Sequence, residues 1–88
     1  MTRHATAIIA GQERGEYATL QDALHVAAAY VRNHVKTLSG IEHLSHMALE
    51  WEMLADRLEE AALRSWDQRE VEIWEDTPDG HIWGARWS

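Results

Sequence analysis

The sequence predicts an α+β fold in which two antiparallel amphipathic helices pack on a small antiparallel sheet, in the order β(β)ααββ. Three observations predict it. The middle of the chain holds two long segments with apolar residues at three- and four-residue steps, a short β-branched run precedes them, and a period of two flanks a proline-glycine turn near the C-terminus. With 88 residues and no linker, repeat or low-complexity tract, the chain reads as a single domain over residues 1–88.

The run Thr6-Ala7-Ile8-Ile9-Ala10 predicts the first strand, and Gly11-Gln12-Glu13-Arg14-Gly15, with a glycine at each end, predicts a loop after it. Glu16-Tyr17-Ala18 is a brief antiparallel return. The first helix starts at a capping box: the Thr19 hydroxyl is placed to accept an amide hydrogen bond, and Asp22 lies three residues on. Its stripe is Leu20, Leu24, Ala27, Val31, Val35 and Leu38, which predicts a helix over residues 20–38. Lys36 suits the negative pole of that helix, and Gly40 is placed to close it in the left-handed conformation.

Ser39 and Glu42 repeat the capping-box spacing and predict a second helix over 41–67 after a tight corner. Ile41, Leu44, Ala48, Trp51, Ala55, Leu58 and Ala62 form its stripe, widened by Met47, Leu54 and Ala61. Beyond Arg69 the period changes to two in Val71-Glu72-Ile73-Trp74, and Thr77-Pro78-Asp79-Gly80 predicts a type I turn into a strand from His81 to Trp87. Trp83, Ala85 and Trp87 fall on one face of that strand. If Val71 and Ile73 face the helices, Trp74 points to the open side of the sheet.

Composition narrows the function. A chain this short buries about 60–65% of its unfolded surface, so a deep enzyme pocket would come out of a small core. No cysteine is present, which excludes disulfides, thiolate metal sites and thiol nucleophiles and fits a reducing, cytoplasmic setting. No segment reads as a signal peptide or as a membrane span. Residues 1–40 carry four basic and three acidic groups, whereas residues 41–79 carry three basic and twelve acidic ones. That segment repels phosphates, so direct nucleic-acid binding is not expected; a basic protein surface is the expected counterpart.

Few groupings carry chemistry. His43, His46 and Glu50 stack on one flank of the second helix at steps suited to a divalent metal, but no evident fourth ligand follows, and a solvated flank explains them as well. His25 and His34 lie nine residues apart, on opposite sides of the first helix, and read as independent. Asp76-Thr77-Pro78-Asp79-Gly80 lacks the ligand alternation of a calcium loop. No cofactor is expected.

The informative excess is tryptophan, five in all, with Trp74, Trp83 and Trp87 in the terminal hairpin beside Glu72, Glu75 and Asp76. Aromatic anchors among carboxylates are interface chemistry, so Glu72, Trp74, Glu75, Asp76, Trp83 and Trp87 are the expected partner-binding residues. A homodimer seam and burial within the chain are the competing explanations.

No family motif is matched. In size, acidity, lack of cysteine and compact α+β plan the chain is similar to many small phage and mobile-element proteins that inhibit host defence complexes, anti-CRISPR proteins among them, and this is a likeness of class. The expected function is therefore a non-enzymatic interaction module that inhibits or regulates a larger protein or complex with a basic surface, such as a nucleic-acid-handling one. The alternatives are a metal-binding or metal-dependent enzyme using the His43, His46, Glu50 flank, and a structural homodimer.

Overall fold

A computed structural model describes residues 4–41, 45–64 and 72–87. The elements are β1 (Ala5–Ile9), β2 (Gln12–Tyr17), α1 (Leu20–Ser39), α2 (Ser45–Arg64), β3 (Glu72–Trp74) and β4 (Trp83–Trp87). They make an α+β fold: a four-stranded antiparallel sheet of order β2-β1-β4-β3, with the two helices packed on one side.

The first strands form a true hairpin rather than a strand and a loop. Ile9 pairs with Gln12, and the two residues between them, Ala10 and Gly11, both have positive φ, 50° and 81°. A two-residue connection of this kind follows the right-handed twist of its strands, as a type I′ turn does. The region expected as a loop is therefore strand. Its second glycine makes a bulge: the register passes from Ala7 opposite Arg14 to Ala5 opposite Tyr17, which leaves one extra residue in β2. Gly15 sits there at φ 74°, and a side chain on it would meet the Tyr17 hydroxyl.

Helix α1 begins as its capping residues dictate, with Thr19 extended and its Oγ1 accepting the Asp22 N–H at 3.0 Å. The whole expected stripe is buried, joined by Ala23 and Ala28. The far end differs from expectation. Gly40 has φ −77° and is not left-handed; its N–H bonds Lys36 O at 3.3 Å, and Ile41 N–H bonds Leu38 O at 3.1 Å. Those amides are still held by the carbonyls of α1, so Ser39 ends α1 instead of capping α2, and Ile41 lies outside the second helix, 37% exposed. Of the helix expected from 41, the described part runs from Ser45. Leu44 and the expected end at 65–67 lie outside the described residues.

Leu58, Ala55, Ala61 and Ala62 are fully buried along α2, with Ala48, Trp51 and Leu54 nearly so. Small residues facing α1 let the two helices approach closely, and their contacts run antiparallel, with His34 meeting Trp51 at one level and Arg32 reaching Glu59 at another. Helix α1 lies directly on β1 and β4. Helix α2 packs along α1 and reaches the sheet through Trp51, whose ring stands edge-on to Trp83 with centroids 5.6 Å apart.

The helix-facing side of the sheet consists of Ala5, Ala7 and Ile9 from β1 and Trp83 and Ala85 from β4, with Trp74, Trp87 and Tyr17 packed half-buried at its margins. On the other side Arg86 and Glu13 form an ion pair that reaches diagonally across β1, from the strand position beside Thr6 to the one beside Ile8. Thr6 and Ile8 are 6% exposed beneath it.

Candidate functional site

The terminal hairpin turns where expected: Gly80 N–H bonds Thr77 O at 3.1 Å. β4 begins at Trp83 rather than His81, because Asp79 organises the residues in between. Its Oδ1 accepts the His81 N–H at 2.9 Å and lies 3.0 Å from the Thr77 hydroxyl, while the Trp83 indole N–H is 3.1 and 3.0 Å from Oδ1 and Oδ2. Burial pushes the Asp79 carboxyl up, but the His81, Trp83 and Thr77 donors outweigh it and hold the group below its ordinary value. The Asp79 carboxylate thus organises the turn, a feature that the turn pattern alone did not reveal.

The tryptophans are not the exposed cluster that the sequence implied. Trp83 is 5% exposed and belongs to the core. Trp74 pairs with Trp83 and packs half-buried against the helix side, which corrects the expectation that it points to the open face. Strand pairing decides this, since directly paired residues share a face and Trp83 faces α1 and α2. Trp87 is half-buried at the other end of the same side. Glu75 and Asp76 are exposed; the Glu72 side chain lies outside the described ones. Asp76 meets Arg57 of α2 at 3.1 Å, and this pair closes a groove of about 230 Å³ between α2 and the hairpin loop, lined by Glu50, Met53, Leu54, Pro78 and Thr77.

Among the described residues the most exposed large apolar side chains lie instead on α2. Leu49, Met53 and Leu63 are 63%, 54% and 70% exposed, within about 80° of one another around the helix. Glu50, Glu52, Asp56 and Glu60 stand exposed among them. Sequence reading passed over these residues because a single strong apolar stripe had already accounted for the helix. The signal was present in the spacing of Leu49 and Met53, which share a flank away from the seam.

A second cleft, of about 460 Å³, opens on the other side of the hairpin loop. One wall is a stripe of α1 formed by Tyr30, Asn33, His34 and Thr37; the floor is Trp51 and Trp83, and the rim is Ala10 and Asp79. The Gly11 N–H to Ile82 O bond, 2.8 Å, ties the β1–β2 turn to the loop and places Ala10 at the mouth. The His34 ring meets Trp51 edge-on with centroids 4.6 Å apart. His25 is on the opposite side of α1, near Glu59, as expected for independent histidines.

Of the flank considered for a metal, His46 and Glu50 lie exposed on α2 and His43 lies outside the described residues. Among the described residues no three histidine or acidic side chains are grouped to hold a metal ion. Among them, too, no helix is long and apolar enough to cross a membrane. Comparison with protein-family models, with curated proteins and with solved structures finds no match to this chain.

Proposed function

We propose that this chain is a non-enzymatic binding module that docks a basic, amphipathic segment of a larger protein on the outer face of α2 and the adjoining acidic loop. The observation that carries this reading is the exposure of Leu49, Met53 and Leu63 within a field of carboxylates from Glu50, Glu52, Asp56 and Glu60. Apolar side chains left in water on a helix whose opposite stripe is already satisfied offer contact area, and the carboxylates select a partner of opposite sign. Glu75 and Asp76 extend the acidic field across the groove. The sharpest form of the proposal is an inhibitor or regulator that covers the basic surface of a nucleic-acid-handling complex, in the manner of anti-CRISPR-like phage inhibitors.

The test uses a helical peptide with leucine on one face and lysine on the other, titrated by calorimetry. Binding is expected, with Met53→Ser and Leu49→Ser each weakening it at least about fivefold and Glu52→Gln with Asp56→Gln flattening its salt dependence. Equal binding by the wild type and all these variants overturns the reading. Sedimentation of the protein alone provides the other arm: self-association abolished by Leu49→Ser would assign the face to a second copy of the chain instead.

A further inference from the structure

The cleft over Trp51 and Trp83 combines aromatic rings with one carboxylate that is not fully used. Among the described residues, Asp79 Oδ1 accepts the His81 amide and one branch of the Trp83 indole N–H and lies 3.0 Å from the Thr77 hydroxyl, which is also 2.5 Å from His81 O; Oδ2 meets the other branch of the indole N–H. A carboxylate has about four acceptor positions, two on each oxygen, so Oδ2 keeps capacity for another donor, and Asp79 lines the cleft. The lining also includes Tyr30, 48% exposed, one helical turn from His34. The Thr37 hydroxyl donates to the Asn33 backbone O at 3.3 Å, and Asn33 itself is among the residues of that wall.

The chemistry that this cleft recognises is a planar cation. A guanidinium group donates charge-assisted hydrogen bonds from its N–H edge to a carboxylate and stacks its face on an aromatic ring; the cleft offers both, in Asp79 and the exposed Tyr30 ring, and Asn33 adds an amide to its lining. An anion would meet Asp79 head-on, and a neutral apolar ligand would leave Asp79 and Asn33 desolvated without partners. We infer that the cleft formed by Tyr30, Asn33, His34 and Asp79 over Trp51 and Trp83 is a receptor for an arginine side chain presented by the partner segment.

The placement fits a single bound chain. Asp76, Thr77 and Pro78 line the groove against α2, whereas Asp79, the next residue, lines this cleft, so the loop is a narrow ridge with one depression on each side. A segment crossing the ridge would set an apolar residue beside Met53 and an arginine in the cleft lined by Asp79 and the exposed Tyr30 ring. This inference rests on the preceding reading only in taking the partner to be basic.

The experiment titrates a blocked Gly-Arg-Gly peptide, which has no apolar face, and follows the indole N–H resonance of Trp83 and the side-chain amide of Asn33 by NMR. Saturable shifts are expected at both. The citrulline analogue, of the same shape without the charge, should bind at least about tenfold more weakly, and Tyr30→Ala, at an exposed ring, should weaken the arginine peptide about threefold at unchanged melting temperature. Asp79→Asn should remove the preference for arginine over citrulline. Equal shifts from the two peptides, or arginine shifts confined to Glu52, Asp56 and Glu60, overturn the inference. In that event the leucine-lysine peptide still reports on α2, so loss of the cleft and loss of the helix-face reading are told apart.

Discussion

The Trp83 indole N–H is shared between the two carboxylate oxygens of Asp79, four residues before it in the chain. A core ring with 5% exposure thus has its single polar group met by a charge that also holds the turn. The core and the loop bearing both depressions are fastened at one point.

Asp79→Ala should cost about 1–3 kcal/mol, because it leaves a nearly buried indole N–H without its acceptor and frees the His81 amide. Asp79→Asn should cost less, since an amide oxygen still accepts. Urea denaturation of the two variants checks the order; equal costs would mean that the charge does not matter to the fastening.

Acid should act at the same point. Because the Asp79 carboxyl is held below its ordinary 3.8, the folded protein binds fewer protons there than the unfolded chain, and stability rises with pH. The contribution is complete above the ordinary value and is lost as pH falls through the lowered folded value. Glu59 behaves in the same sense below its ordinary 4.5, held down by hydrogen bonds from Arg32 against a smaller opposing effect of burial. Urea midpoints should therefore fall below about pH 4, and the fall should be shallower in Asp79→Asn.

Leu58→Ala should cost about 2–4 kcal/mol, since Leu58 is fully buried between the helices and its loss leaves a cavity there. Ala55→Leu should also destabilise, by about 1–3 kcal/mol, because the helices approach over an alanine with no exposure. Thermal melts of both variants test whether the seam is close-packed; an unchanged or raised melting temperature for Ala55→Leu would show unfilled space.

Arg32 donates to Glu59 at 2.7 and 2.8 Å and to Asp56 at 3.1 Å, bridging α1 to α2. All three side chains are more than a third exposed, so a double-mutant cycle on Arg32 and Glu59 should give a coupling of only about 0.5–1 kcal/mol, reduced by added salt. Nothing in the sequence around Glu59 indicates a guanidinium 27 positions away.

Periodicity made the helices legible: every member of the α1 stripe is buried, as are the α2 residues from Ala48 to Ala62 assigned to the seam. Capping signals were less dependable. Thr19 does cap α1, but Ser39 with the same spacing to an acidic residue does not cap α2, because local side-chain preference loses to carbonyls that a preceding helix still offers. The β1–β2 turn was hidden for another reason. Its first left-handed residue is Ala10, where the usual signal would be asparagine or aspartate. At the terminal hairpin, composition marked Glu75 and Asp76 as surface carboxylates, which are exposed, whereas Trp74 was assigned to the wrong face because the face of a strand is set by the segment it pairs with.

The bulge at Gly15 has a consequence for how these molecules behave toward one another. β2 is an edge of the sheet, and an edge is a template on which another extended chain can add hydrogen bonds. The extra residue breaks the regular spacing of amides and carbonyls midway along six residues, and Glu13, Arg14 and Glu16 place charges on both sides of the break. An incoming strand would find at most a few residues in phase before the ladder fails. The glycine kink thus guards the β2 edge against the addition of a further strand.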